Sequence, residues 1–112
     1  AKDRSKTMTQ TVGASTQGGL TVQWSSPELL KGERKDRASD IFALAVTLWE
    51  IFERKTPFAG MADMIVINQI LANVRPKIEK TPAEFRALIQ QAWIDDAKSR
   101  PNAAQMAYAL SN

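Results

Sequence analysis

The chain has no cysteine and no histidine. The first absence excludes disulfides and thiolate metal sites and points to a reducing compartment, the cytoplasm. The second removes the commonest general base and the commonest side-chain metal ligand together. No apolar run approaches the roughly 20 residues a membrane-spanning helix needs, so no membrane role is expected. Charge of one sign is also scarce. Fifteen basic and twelve acidic residues leave a net +3, with no basic stripe interleaved with aromatics, so no nucleic-acid partner is expected. The start, Ala1-Lys2-Asp3-Arg4-Ser5-Lys6, has neither a signal-peptide core nor an initiator Met, which suits a trimmed piece of something longer. No segment alternates with period two, no hairpin turn signal occurs and no internal repeat is found. The fold class expected is all-α.

What is present suits one compact domain: 112 residues, 44% of them hydrophobic. Residues 1–20 stand apart, rich in Thr, Ser, Gln, Gly and Lys, and read as a mobile segment without a core face. A short helix is expected over Ser26–Leu30, with Ser26 as cap, Pro27 in the first turn and Gly32 as the stop. Ser39 is read as the cap of the strongest helix, 40–53. There Ile41, Leu44, Ala45, Leu48, Trp49 and Phe52 recur at helical spacing, and Phe42, Val46 and Ile51 widen the apolar surface. A helix so apolar should lie in a core. A third helix is expected over 62–72, ended by Arg75-Pro76. Thr81-Pro82-Ala83-Glu84 reads as a capping box opening a fourth, and Asn102-Ala103-Ala104-Gln105 opens a fifth in the same way.

Three motifs carry the reading further. They are Trp24-Ser25-Ser26-Pro27-Glu28-Leu29-Leu30, the run Ser39-Asp40-Ile41-Phe42-Ala43-Leu44-Ala45-Val46-Thr47-Leu48-Trp49-Glu50-Ile51, and Ala92-Trp93-Ile94-Asp95-Asp96-Ala97-Lys98-Ser99-Arg100-Pro101. In this order and spacing they resemble the protein kinase superfamily from the activation segment to the end of the catalytic domain. Thr56-Pro57-Phe58 resembles the loop before a helix that often docks substrates and partners. Ser26-Pro27-Glu28 stands for the family's Ala-Pro-Glu. Departures occur at Leu20, Ala43, Ala45, Ala92 and Ala97, where the family commonly has Gly, Ser, Gly, Cys and Pro.

The resemblance implies an all-α C-terminal helical subdomain of a kinase-like large lobe. It divides the chain into an activation-segment-like leader with a substrate loop, 1–25, and a helical subdomain, 26–112. It implies a buried ion pair between Glu28 and Arg100, support of the catalytic-loop backbone by Asp40, and a substrate-receiving loop Leu20-Thr21-Val22-Gln23-Trp24. Thr21 matches the serine/threonine branch, while Trp24 and Leu48-Trp49-Glu50-Ile51 look like the tyrosine-kinase and tyrosine-kinase-like branches. Trp49 and Trp93 are read as plain core packing. Candidate phosphosites in the leader are Thr7, Thr9, Thr11, Ser15 and Thr16, where a phosphate would add charge for an arginine cluster to order. No catalytic or metal-binding residue is assigned. The Gly-rich loop, strand lysine, His-Arg-Asp loop and Asp-Phe-Gly that perform phosphoryl transfer in this family are not found, so ATP and Mg belong to the complete kinase and not to this segment. The implied partners are the N-terminal part of a kinase domain, a protein substrate, a docking partner at residues 57–72 and, through exposed apolar surface, a second copy of the chain. A pseudokinase remnant or a free-standing helical binding module is the rival reading.

Overall fold

The computed structural model describes residues 22–111. Among them are five α-helices and two 3-10 turns, and no strand. We label the helices α1 (Pro27–Leu30), α2 (Arg37–Glu53), α3 (Asp63–Leu71), α4 (Ala83–Ala92) and α5 (Ala103–Ser111); the turns are Val22–Trp24 and Ala97–Ser99.

α1 is one turn long. Pro27 opens it with its ring already set for helix, and Ser26 precedes it in extended conformation without a side-chain cap bond. The expected Ser26 cap is therefore absent, and Ser26 is instead fully buried. Gly32 does end the turn. Its φ of +90° lets Gly32 N–H reach the Leu29 carbonyl and Glu33 N–H reach the Glu28 carbonyl, both at 2.9 Å, the paired bonds of a Schellman stop.

α2 begins three residues before the sequence suggests. Asp36, not Ser39, is the N-cap: its carboxylate accepts from Ser39 N–H at 3.1 Å, and Ser39 Oγ accepts from Asp36 N–H at 2.9 Å. Ser39 thus supplies the far side of a capping box. The helix buries Ile41, Phe42, Ala45, Val46 and Trp49, and its most extensive packing is against α4. It is not enclosed all round, because Ile51 is 63% exposed and Thr47 beside it is open too.

α3 stops before Arg75-Pro76. Asn73 takes a left-handed φ of 66°; its N–H bonds Ile70 O at 3.0 Å, and Val74 N–H bonds Gln69 O at 2.9 Å. Asparagine is the residue other than glycine that most readily closes a helix this way, so the stop is local and needs no proline. α4 also departs from its expected start. Thr81 does not cap it; the cap position falls to Pro82 without a side-chain bond, because the Thr81 hydroxyl is committed to Glu53, 28 positions earlier. α5 opens on the reciprocal pair Asn102 and Gln105, each backbone N–H donating to the other's side chain at 2.8 Å.

One core joins these pieces. Phe42, Val46 and Trp49 of α2 meet Val66 and Ile70 of α3, Ile89 and Ala92 of α4, Met106 of α5 and Val22 of the first turn. Trp49 and Trp93 are each 4% exposed, as core packing requires. Trp49 also donates from Nε1 to the Lys77 carbonyl at 2.9 Å, which is how a buried indole satisfies its N–H.

Candidate functional site

The best-built polar site lies where α1 meets the segment after α4. Arg100 follows the Ala97–Ser99 turn, which Asp96 shapes by accepting from Lys98 N–H at 3.3 Å and Ser99 Oγ at 2.8 Å. From there the Arg100 side chain runs into the core and is fully buried. Its fork grips Glu28 with two bonds, Nη1 to Oε2 at 2.7 Å and Nη2 to Oε1 at 3.0 Å. This bidentate arrangement is the strong form of a charge-assisted pair. The remaining donors go to carbonyls: Nε to Ile94 at 2.9 Å, Nη1 to Ala38 at 3.0 Å and Nη2 to Asp95 at 3.1 Å. A buried guanidinium is tolerable only when its donors are taken up in this way. Burial pushes the Glu28 carboxyl up, but its bonds to Arg100 outweigh that and hold it below the usual carboxylate range.

Val22–Trp24 lies beside this region, packed on α2 and α3. Val22 is buried, while Gln23 and Trp24 are half-buried. Trp24 Nε1 donates to Glu50 Oε1 at 3.0 Å, fastening the turn to α2. Asp40 is exposed and faces Lys35 at 3.5 Å, an ion pair of the kind worth little in water. Leu20, Thr21, Thr7, Thr9, Thr11, Ser15 and Thr16 lie outside the described residues. The structure therefore brings Glu28 and Arg100 together, leaves Asp40 apart from them at the surface, and ties the second half of the substrate-loop candidate to α2 and α3.

Two buried charged residues were missed by the sequence reading. Glu53, at the end of α2, is fully buried. Its carboxylate accepts from the backbone N–H groups of Glu79, Lys80 and Thr81 at 2.9–3.0 Å and from the Thr81 hydroxyl at 2.6 Å. Burial pushes it up, but the Thr81 hydroxyl and the amides prevail and hold it at about 2. The sequence held a signal, since a carboxylate at a helix C-terminus opposes the dipole and needs donors from elsewhere. The second residue is Arg75, read only as part of a helix terminator. Its guanidinium lies 5.0 Å from the Phe42 ring centroid, and that of Arg100 lies 5.1 Å from the same ring.

An open cleft of about 450 Å³ is lined by Trp49, Phe58, Met61, Val74, Arg75 and Pro76, with Lys55, Lys77 and Glu79 also among its polar residues. Met61 and Val74 of this lining are exposed, as are Met64, Ile65 and Leu71 of α3. Among the described residues no cluster of three or more acidic side chains could hold a metal ion. No helix is long and apolar enough to cross a membrane.

The sequence pattern of the family described as protein tyrosine and serine/threonine kinase matches residues 3–110. The chain belongs to the protein kinase family, and its helices correspond to the C-terminal part of the large lobe. It is 36% identical over 93 residues to the serine/threonine-protein kinase mos of Patiria pectinifera, covering 80% of this chain and 26% of that protein. It is 33% identical over 101 residues to the mos kinase of Gallus gallus, covering 84% and 29%. To the tyrosine-protein kinase-like otk of Drosophila mojavensis it is 33% identical over 96 residues, covering 82% and 9%. The chain spans less than a third of the length of these curated relatives.

Proposed function

We propose that this chain forms the substrate-side helical part of a protein kinase catalytic domain, contributing to ATP-dependent phosphorylation of serine or threonine in proteins. The observation that carries the reading is the Glu28–Arg100 clamp. It joins two positions 72 residues apart with both ends of a bidentate pair. Its consequence is that the segment before α1, which would receive the substrate, rests on the same core as the final helix. In this reading Leu20 to Trp24 form the receiving loop, and the leader with Thr7, Thr9, Thr11, Ser15 and Thr16 is the activation loop. Asp40, at the surface in the first turn of α2, awaits the catalytic-loop backbone. Phosphoryl transfer itself depends on residues the chain does not supply: it positions the protein substrate, and the nucleotide and metal are bound elsewhere in the complete domain.

The test is a graft. Residues 22–111 replace the matching segment of a mos-type kinase, and phosphorylation of a generic protein substrate is measured beside ATP binding. Activity is expected to survive the graft, and Asp40→Asn is expected to lower turnover while leaving thermal stability nearly unchanged. A folded, ATP-binding graft with no activity, or one indifferent to Asp40, would defeat the proposal. The 112-residue chain alone is expected to show no saturable ATP binding by calorimetry. A docking module is the second reading, favoured by the exposed Met61, Met64, Ile65 and Leu71 around α3. That reading gains only if the graft is dead and the isolated chain is a stable, cooperatively melting monomer.

A further inference from the structure

The Glu28–Arg100 pair does not stand alone. Arg75 lies just beyond the turn that ends α3, and its side chain is only 10% exposed. Nε donates to the Trp93 carbonyl at 2.9 Å, and Nη1 donates to those of Ile70 at 3.1 Å and Val74 at 3.0 Å. Ile70 is in the last turn of α3 and Trp93 caps α4. The fork thus takes up carbonyls that helix ends leave without intrahelical partners. Two further contacts lead on to Arg100. Both guanidinium groups lie over the Phe42 ring, within cation–π range. Asp95 serves both as well: its carboxylate is 3.9 Å from Arg75 Nη2, and its carbonyl accepts from Arg100 Nη2 at 3.1 Å. Arg100 in turn holds Glu28. The contacts run without a break from the C-terminal end of α3 to α1.

We propose that Arg75 is a positioning residue that couples the end of α3 to the Glu28–Arg100 pair, so that the order of residues 26–33 depends on how α3 is held. The coupling needs arginine. A lysine ammonium could reach one or two of these carbonyls, but it lacks the planar fork that reaches two helix ends while stacking on Phe42. The ring and Asp95 are shared, so a shift of one guanidinium changes the surroundings of the other. Energetic coupling of this kind is expected of residues in one network and not of separate ones. It is a property of this chain alone and stands whether or not residues 57–72 receive a partner.

Amide hydrogen exchange on the 112-residue chain tests it. The reporters are the N–H groups of Leu30, Lys31 and Glu33, which bond the Ser26, Pro27 and Glu28 carbonyls at 3.1, 3.1 and 2.9 Å. Arg75→Lys should speed their exchange on the order of tenfold, within the usual range of site-to-site coupling. The Met106 N–H, bonded to Asn102 O at 3.0 Å, serves as the reference for global opening and should not share the extra acceleration. If only the amides of 72–75 and 93–95 accelerate, Arg75 is a local brace and the proposal is overturned. The same substitution in an Arg100→Lys background should have a much smaller effect on Lys31 and Glu33; equal effects in both backgrounds would overturn it too. Should Arg75→Lys fail to fold, Asp95→Asn decides the question. Asp95 is half-exposed, so the variant should fold, and a smaller acceleration of the same three amides supports the coupling while none refutes it.

Discussion

Replacing Glu28 by alanine leaves the Arg100 guanidinium buried with two of its five hydrogen bonds gone, while the three carbonyl bonds persist. Each lost bond is charge-assisted and of a class worth about 1.5–3 kcal/mol, so the pair sums to about 3–6 kcal/mol. Breaking a buried ion pair costs roughly 3–5 kcal/mol. Glu28 keeps 14% of its side-chain surface in water, which lets solvent reach the site and favours the lower end, about 3 kcal/mol. A small domain loses about 4–8 °C of melting temperature per kcal/mol, so a drop of ~12–24 °C is expected, a large share of a total stability of about 5–15 kcal/mol. Arg100→Ala should cost more, because it strips the donors from three carbonyls and the cation from over Phe42. Thermal and urea unfolding followed by tryptophan fluorescence gives both numbers, with Lys35→Ala at the exposed Asp40 pair as a control expected below ~1 kcal/mol. The double change of Glu28 and Arg100 to methionine should recover part of the single-mutant loss, since apolar replacement of a whole buried pair is often tolerated. The sign with pH follows from the lowered carboxyl value. Glu28 is ionised more easily folded than unfolded, so its contribution is complete above the reference value of 4.5 and falls away as pH drops through the folded value. If Glu28→Ala stays within ~1 kcal/mol of the parent, the pair behaves as a surface contact and does not clamp the two segments together.

Glu53→Gln should destabilise the chain and flatten its acid response between pH 4.5 and about 2, because the parent carboxylate titrates there only on unfolding; an unchanged acid limb in urea melts at stepped pH would contradict this. Phe42→Leu keeps apolar volume but removes the ring under two guanidinium groups, for an expected loss of about 1–2 kcal/mol, whereas Phe42→Ala should lose ~3–5 kcal/mol; a negligible loss in Phe42→Leu would mean the cations contribute nothing. Asn73→Gly should be neutral or stabilising and Asn73→Ala should cost ~1 kcal/mol, as the left-handed φ of 66° dictates. The reverse order in thermal melts would show that α3 ends for some other reason.

The helices were legible because their signals are local. Apolar residues at helical spacing marked α2, the Asn102–Gln105 box marked α5, and Gly32 marked the end of α1. Misjudged boundaries came from two local signals competing for one end. Asp36 and Ser39 both suit an N-cap, and the box is satisfied only when Asp36 is the cap and Ser39 the third helical residue. Asn73 and Pro76 both stop helices, and the first one met along the chain prevails. Thr81-Pro82-Ala83-Glu84 fitted a capping box, yet the threonine hydroxyl serves a carboxylate 28 residues away. Local pattern cannot foresee a tertiary rival for the same donor. The pairing of Glu28 with Arg100 came from a family resemblance, since nothing in their spacing of 72 residues requires contact. Arg75 and Glu53 had no such help.

These long-range polar anchors share one logic. Apolar burial secures the helices of this chain, but the segments between them have backbone groups with no helical partner, and those need satisfying wherever they are buried. Each anchor supplies a fan of three backbone bonds: Glu53 to a single connecting segment, and the two arginines each to two places in the chain. Arg100 donates to Ala38, Ile94 and Asp95, Arg75 donates to Ile70, Val74 and Trp93, and Glu53 accepts from the amides of 79, 80 and 81. A neutral side chain offers too few donors or acceptors to serve three backbone groups at once, which is why arginine and glutamate stand at buried sites where leucine would pack more cheaply. The consequence is a division of labour. Trimming an apolar residue such as Ile89 should lower stability throughout the chain. Removing one anchor should loosen its own connection first and leave the helix core to fail later. Hydrogen exchange can separate the two patterns: in Glu53→Gln the amides of 79–81 should lose protection before those within α2, and simultaneous loss would mean that connection and core open as a single unit.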